Sequence, residues 1–263
     1  MRRQLLTAIG MVIVMTLVCG LAYGLALTGI GELAFGHQAS GSIVTKGGKD
    51  VGSSLIGQSF TDSKGNPIPK YFQSRPSEAV TSSATDNITV SEASNLGPSN
   101  PLLIGFIPGV NSVGLDGSPS KTNPFATPAD PFCVPVDTTS AAAPVTSPSA
   151  GQKYAKNSDG TYVCDPNTVP ERAVSYRQEF GLAPDAQVPV DAVTASGSGL
   201  DSDISIANAD IQAPTVAKAR GLSLAQVNDL IKSNTTGRSL GVLGDPGVNV
   251  LTLNIALDNL AQK

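Results

Sequence analysis

The sequence has little of what most catalytic and metal centres need: one histidine, no tryptophan and three cysteines in 263 residues. A Ser-His-Asp triad would have to recruit His37, which closely follows the apolar N-terminal segment, and this argues against an exported hydrolase. One histidine and two cysteines beyond that segment do not predict a closed zinc site. The sequence also lacks a Walker A loop, which excludes that phosphate-binding site. Ser198 lies between Gly197 and Gly199 but does not satisfy the G-x-S-x-G motif of a nucleophile elbow.

Charge is scarce as well. Charged residues make up 14% of the chain, and the formal net charge is −4 at pH 7. No lysine- and arginine-rich patch indicates binding to nucleic acid. The 27 glycines and 19 prolines predict many turns and connections. The part beyond the N-terminal segment is still long enough to bury one hydrophobic core.

Charge is absent altogether from residues 4–31, and Arg2 and Arg3 are the only ions before them. About 20 apolar residues suffice for a helix to cross the hydrocarbon core of a membrane. Residues 1–31 are therefore predicted to be a cytoplasmic start and a transmembrane helix. Because positive charge stays on the cytoplasmic side, everything from Glu32 onward is expected to be extracytoplasmic.

Two alternatives for this segment remain open. A cleaved signal peptide is one, with Ala22-Tyr23-Gly24 as a small-x-small cleavage site, but signal peptides have shorter apolar regions of about 7–15 residues. The other is a free-standing exported lipoprotein or binding protein anchored at Cys19, although Val18 is larger than the residue expected before a lipidated cysteine. The length of the run favours an uncleaved anchor.

Gly20 and Gly24 have the GxxxG spacing that allows another helix to approach closely. They are the candidate residues for packing between membrane helices. The alternative is that glycine is simply frequent in membrane helices, and the pattern alone does not decide between the two.

The rest of the chain is predicted to be a juxtamembrane linker at residues 32–52 and one extracytoplasmic domain at residues 53–263. Residues 108–169 are rich in proline and serine without any period, which indicates a long loop insertion. Cys133 and Cys164 lie in this insertion, in a compartment where disulfides persist, and are predicted to form one.

The domain is predicted to be α+β, a mixed α/β fold without repeated βαβ units. Strands are predicted at Ser54–Phe60 and, from alternating apolar residues, at Val248–Leu257. Helices are predicted at residues 170–181 and at Ser205–Arg220, the latter kinked or broken at Pro214. A further helix follows Ser223, which forms a capping box with Gln226.

Two polar clusters are candidates for binding. Asp191, Asp201 and Asp203 could gather a cation. The favoured interpretation is structural: Asp201 and Asp203 follow a glycine-rich turn and cap the helix after it. The run Ser196-Gly197-Ser198-Gly199 could form an anion-binding nest, although turn formation is the commoner use of such a sequence.

Several blocks resemble, in order, the C subunit of the bacterial high-affinity potassium-transporting ATPase. They are LIGQ at 55–58, YFQSRPS at 71–77, SNLGPSN at 94–100, VPVDAVTASGSGL at 188–200, and LGVLGDP at 240–246 with VNVL at 248–251. These blocks supply candidate residues for building the fold or the contact surface with partners: Gln58, Tyr71, Phe72, Arg75, Pro76, Ser77, Asn95, Gly97, Pro98, Asn100, Asp191, Ser196, Gly197, Ser198, Gly199, Asp201 and Asn249.

The resemblance implies an accessory, non-catalytic subunit with one membrane helix and an extracytoplasmic domain. It implies three partners: a channel-like potassium-binding subunit, a P-type ATPase subunit and a small hydrophobic subunit. It also implies a catalytic chaperone that raises the ATP affinity of the P-type ATPase subunit. ATP and potassium then belong to the complex, and no cofactor is assigned to this chain. Ser202, Asp203 and Thr215 depart from the family pattern, so no family role is carried over to them.

Overall fold

The computed structural model describes residues 2–77, 90–91, 156–161, 163–164 and 168–260. The chain divides into two compact units, Met1–Leu55 and Ile56–Lys263, which are described separately. The content is mixed α and β, with one long N-terminal apolar helix.

The first unit is built on helix α1, Arg2–Ala39, as the uncharged run predicts. The 38 residues include an 18-residue window with a mean hydropathy of 2.5, and none of that window is buried. The helix is long and apolar enough to cross a membrane. It contains a π-helical segment at Thr16–Ala22 and a non-helical residue at Phe35, with φ −139° and ψ 37°.

The predicted linker at residues 32–52 carries regular structure instead. Helix α1 continues to Ala39, and an antiparallel hairpin follows, formed by β1, Ile43–Lys46, and β2, Lys49–Ser53. The turn between the strands is Gly47-Gly48, with φ of 59° and 77°. Two glycines with positive φ suit the two-residue turn of a hairpin, and this is the signal that the linker interpretation overlooked.

The second unit combines helices with a small sheet. Its strands are β3, β4 and β5, in the order β3-β5-β4, and both pairings are antiparallel. In chain order the elements are α2 (Val169–Glu179), α3 (Val190–Val193), β3 (Asp203–Ser205), α4 (Ile206–Arg220), α5 (Leu224–Ser233), β4 (Thr235–Thr236), β5 (Gly247–Asn249) and α6 (Val250–Leu260).

The ends of α4 and α5 follow from their sequences. Ser205 Oγ accepts a hydrogen bond from Asn208 N at 3.1 Å and so caps the start of α4. Gly221 ends that helix with φ +65°. Ser223 and Gln226 form the predicted capping box of α5. Helix α4 continues through Pro214, where a kink or break is predicted.

The predicted strand at Val248–Leu257 is wrong beyond Asn249. Only Gly247–Asn249 is a strand, and residues 250–260 form helix α6. Asn249 Oδ1 accepts from Thr252 N at 3.1 Å, as a helix-capping side chain does. The buried residues recur at helical rather than alternating spacing: Val250, Leu251, Leu253, Asn254 and Leu257.

The predicted strand at Ser54–Phe60 is also wrong, since this segment forms no ladder in the described part of the chain. It is held instead by a close approach of two backbones. Gly57 N donates to Leu200 O at 2.9 Å. A Cβ atom added to Gly57 would overlap the carbonyl oxygen of Asp201. Glycine is therefore required at position 57 by packing.

One hydrophobic core joins α4, α5, α6 and the sheet. Phe72 belongs to it and is fully buried, although it lies in a segment outside any helix or strand. The buried members are Phe72, Ile204, Ala209, Ala213, Val216, Ala217, Val227, Ile231, Val248, Val250, Leu253 and Leu257.

Replacing Gly57 by alanine should destabilise the domain by about 1–3 kcal/mol, because the new methyl group meets rigid backbone rather than a flexible side chain. The matched control is Gly197→Ala, since an added Cβ there has no neighbour within 4 Å. Urea unfolding measures both variants. Equal stabilities for the two would contradict this packing of residue 57.

Candidate functional site

Three of the predicted sequence blocks meet at one place in the second unit. Ser74 Oγ donates to Gln58 O at 2.8 Å, which joins the first block to the second. Ser77 Oγ donates to Gly199 O at 2.7 Å, and Ser196 N donates to Pro76 O at 3.4 Å, which joins the second block to the fourth. We call the contacts among residues 57–58, 71–77 and 191–201 the polar hub.

Arg75 lies at the centre of the polar hub. Its Nη1 donates to Asp201 Oδ2 at 2.8 Å. Its Nη2 lies within 3.3–3.4 Å of the Thr194 carbonyl, the Thr194 hydroxyl and the Ala195 carbonyl. The side chains of the pair are 24% and 37% exposed, so the ion pair is partly shielded from water. One guanidinium thus fixes both ends of the loop at residues 194–201.

Asp191 closes the other side of the hub. Its carboxylate accepts hydrogen bonds from Ser205 N, Ser205 Oγ and Asn208 Nδ2 at 2.8–3.0 Å. This places a negative charge at the start of helix α4, where the helix dipole favours it. The predicted capping by Asp201 and Asp203 is wrong: Asp201 binds Arg75, and Asp203 accepts from Asn249 Nδ2 at 3.1 Å. Asp191 is the aspartate at the helix start.

Neither binding interpretation of these loops gains support. In the described part of the chain, no group of three or more histidine, cysteine, aspartate or glutamate side chains could hold a metal ion. The amide of Ser196 donates to Pro76, and that of Gly199 donates to Ser196 O at 3.3 Å. Both amides are thus engaged within the fold, which favours the turn interpretation of residues 196–199.

Two buried amide side chains hold the segment at residues 71–77. Neither is among the candidate residues predicted from the sequence. Asn254 accepts from Phe72 N and donates to Phe72 O, both at 2.9 Å. Gln212 accepts from Gln73 N at 2.7 Å and donates to Gln73 O at 3.2 Å. Each amide replaces the partner that a neighbouring strand would supply. A polar residue within the apolar face of a helix is the sequence signal for such a contact.

Tyr71 contacts the C-terminal helix through a charged cluster. The guanidinium of Arg220 lies 4.9 Å from the centre of its ring. Arg220 also forms an ion pair with Asp258 at 2.8 Å, and the Tyr71 hydroxyl donates to Asp258 at 3.3 Å. The Arg220 side chain is only 5% exposed, so these contacts are well shielded from solvent.

Tyr176 extends the network into α2. Its hydroxyl donates to Asn208 Oδ1 at 2.7 Å, and the same oxygen accepts from Gln212 Nε2 at 2.8 Å. Burial, together with the negative charges of Asp191 and Glu179, raises the pKa of Tyr176 well above its ordinary value. Burial also raises the pKa of Glu179.

The other candidate residues lie outside the polar hub. Gly20 and Gly24 lie on the exposed surface of α1. Cys164 is disulfide-bonded, whereas Cys19 is free and exposed. Cys133 lies outside the described residues, so its pairing with Cys164 stays a prediction. Four more candidates also lie outside the described residues: Asn95, Gly97, Pro98 and Asn100.

Disrupting the Arg75–Asp201 pair should cost stability. We expect Arg75→Met to lower the free energy of unfolding by about 1–3 kcal/mol, because carboxylate and carbonyl acceptors lose their donor. A double-mutant cycle with Asp201→Asn should give a coupling of about 1 kcal/mol. The matched control is the Arg238–Asp245 pair, whose side chains are 50% and 89% exposed, and its coupling should stay below about 0.5 kcal/mol. Equal coupling energies for the two pairs would contradict the shielding of the Arg75–Asp201 pair from water.

The raised pKa of Tyr176 gives a pH prediction with a definite sign. Above about pH 10 an unfolded tyrosine loses its proton while folded Tyr176 keeps it, so the unfolding free energy falls as the pH rises. Tyr176→Phe should cost about 1 kcal/mol at neutral pH through the lost hydrogen bond. Above pH 10 its free energy of unfolding should also fall less steeply with pH than that of the wild type. Parallel curves for both proteins, measured by denaturant titration, would contradict this.

Comparisons with known proteins agree with the sequence blocks. The family model described as KdpC, K+-transporting ATPase, c chain, matches residues 5–143 and 136–259. A potassium-transporting ATPase KdpC subunit of Mycobacterium tuberculosis (strain H37Rv) is 38% identical over 260 residues, covering 99% of this chain and all of the relative.

Relatives from other bacteria match at full length too. The potassium-transporting ATPase KdpC subunit of Bradyrhizobium diazoefficiens is 37% identical over 272 residues, covering all of both chains. That of Rhodopseudomonas palustris (strain BisB5) is 36% identical over 264 residues, again covering all of both. These matches do not favour the lipoprotein alternative. The chain belongs to the KdpC family, the c chain of K+-transporting ATPases.

Proposed function

We propose that this chain is the accessory, non-catalytic C subunit of an ATP-driven potassium uptake complex, in which it stabilises assembly. The observation that carries the proposal is the surface of helix α1. Its large apolar side chains are exposed along its length, for example Leu5 at 62%, Val12 at 65% and Leu25 at 64%. Such a surface is stable only in lipid or against other membrane helices.

The proposed orientation places Arg2 and Arg3 in the cytoplasm and the domain outside. The positive-inside rule supports it, because these are the only charged residues before Glu32. ATP binds on the cytoplasmic side of a P-type pump. Any effect of this chain on ATP affinity is then indirect and acts through the assembly of the complex.

The polar hub supports a structural rather than a catalytic role for the sequence blocks. The Arg75 guanidinium, the Asp191 carboxylate and the amides of Gln212 and Asn254 all bond within the domain. A group that is held by several internal hydrogen bonds is costly to redirect toward a substrate. The domain therefore serves as a rigid body that α1 attaches to the membrane.

The proposed partners are those of the family: a channel-like potassium-binding subunit, a P-type ATPase subunit and a small hydrophobic subunit. Helix α1 offers these membrane proteins a close approach at Gly20 and Gly24. In the chain alone, a Cβ added to Gly20 meets only Thr16 Cγ2 at 3.9 Å, and one added to Gly24 meets nothing within 4 Å. Larger residues at both positions therefore fit the isolated helix.

Co-purification tests this proposal. The tagged wild-type chain should bring the P-type ATPase subunit with it from detergent-solubilised membranes. Gly20→Leu combined with Gly24→Leu should still reach the membrane, because leucine favours a helix more than glycine does. It should recover the ATPase subunit at least about tenfold less well, since a loss of 1.4 kcal/mol in packing lowers affinity tenfold.

The matched control is Gly29→Leu. Gly29 also has no neighbour within 4 Å of an added Cβ. It lies five residues beyond Gly24, which is about 140° around a regular helix. Its recovery of the ATPase subunit should equal that of the wild-type chain. If the Gly20 and Gly24 double variant recovers the ATPase subunit as well as the wild type, the proposed packing of partner helices against Gly20 and Gly24 is wrong. If the wild-type chain brings no ATPase subunit, the proposed function is wrong.

A further inference from the structure

The segment at residues 238–245, which we call the apolar tip, projects three large apolar side chains into solvent. Leu240 is 90% exposed, Val242 is 72% exposed and Leu243 is 58% exposed. None of them belongs to the hydrophobic core. Single exposed apolar residues are ordinary on protein surfaces, but three within four positions form a contiguous patch.

The apolar tip is held by its own backbone rather than by its side chains. Ser239 and Leu243 exchange two backbone hydrogen bonds, both at 2.9 Å. Gly241 N donates to Arg238 O at 3.0 Å. Across the base of the tip, Arg238 pairs with Asp245 at 2.9 Å. The shape of the tip is therefore set before any partner arrives, which reduces the entropy lost on binding.

Leu240 has a backbone conformation that does not suit its side chain. Its φ is +54°, in the left-handed region that glycine adopts freely and a bulky residue rarely adopts. Its side chain is the most exposed of the three, so packing within the domain does not compensate for the strain. Compensation by contact with another molecule accounts for both observations.

Charge around the base of the tip decides the kind of molecule. A cleft of about 380 Å³ beside the tip is lined by four aspartates together with Arg75: Asp191, Asp201, Asp203 and Asp245. Residues 56–263 carry 19 acidic against 13 basic side chains. Anionic lipid headgroups would be repelled by this surface. A protein surface with lysine or arginine beside an apolar pocket would be attracted to it.

We propose that the apolar tip docks into an apolar pocket on a partner subunit of the potassium-transporting complex, and that basic side chains of that subunit rim the pocket and face Asp245. Leu240 enters the pocket, while Val242 and Leu243 cover its edge. This inference rests on the proposed function, because it takes its partner from the complex that the chain helps to assemble.

The test combines Leu240→Gly with Val242→Ser in the full chain. Glycine relieves the positive φ of residue 240, so the thermal midpoint of the purified variant should equal or exceed that of the wild type. Recovery of the partner subunits after a high-salt, detergent wash should nevertheless fall at least tenfold. If Leu240 instead stabilised the fold, the thermal midpoint of the variant would fall below that of the wild type.

The matched control is Leu224→Ser. Leu224 is 46% exposed and begins helix α5, at the end away from the tip. The helix has 10 residues, so this position lies about 15 Å from the point where the chain leaves α5 toward the tip. Its recovery of the partner subunits should match that of the wild type.

A photoreactive benzoylphenylalanine placed at position 240 identifies the molecule that contacts the apolar tip. Illumination of the purified complex should give an adduct with one partner subunit, whereas the same group at position 224 should give none. Docking by the tip would be overturned by an adduct with lipid, by an adduct with a second copy of this chain, or by no adduct at all. It would also be overturned if the Leu240 and Val242 variant recovered the partner subunits as well as the wild type. Each of these outcomes would leave the proposed function intact. A wild-type chain that recovers no partner subunit would overturn both.

Discussion

The paired hydrogen bonds from the side chains of Gln212 and Asn254 to the backbone of residues 72–73 are the contacts on which the rest of the domain depends. Phe72 is buried and Gln73 is half-buried, and neither pairs with a strand in the described part of the chain. Without the two amides, the N–H and C=O groups of both residues would be desolvated and unpaired, which costs about 1–3 kcal/mol for each group. With them, Phe72 stays in the core and Arg75 is directed toward Asp201. The polar hub is the consequence of that fixed segment.

Most of the candidate polar residues of the domain bond to other parts of the same domain. The residues that resemble catalytic or ligand-binding motifs in the sequence are mostly engaged with one another in the structure. Asp191 holds the start of α4, and Ser77 and Pro76 hold the loop at residues 196–199. In the described part of the chain, α1 and the tip at residues 238–245 expose several large apolar side chains. The accessory role proposed above fits this division between polar groups bonded within the domain and exposed apolar surfaces.

The sequence predicted the features that depend on local chemistry. The uncharged run became α1, Ser223 and Gln226 formed their capping box, and the helix predicted at Ser205–Arg220 became α4. It failed where distant contacts decide. Alternating leucines suggested a strand at residues 248–257, but the Asn249 cap and the burial of Asn254 make most of that stretch a helix. The polar hub joins residues that are more than 100 positions apart, which no local pattern can pair.

The two amide contacts also impose an order on folding. Phe72 finds its partner 182 residues later in the chain, and Gln73 finds its partner 139 residues later. The segment at residues 71–77 therefore leaves the ribosome long before Gln212 and Asn254 exist. Contacts of such sequence separation carry a large loop-closure cost and form slowly. Until the last helix is made, the backbone groups of Phe72 and Gln73 lack the partners that they have in the folded domain, and Phe72 stays exposed to wrong contacts.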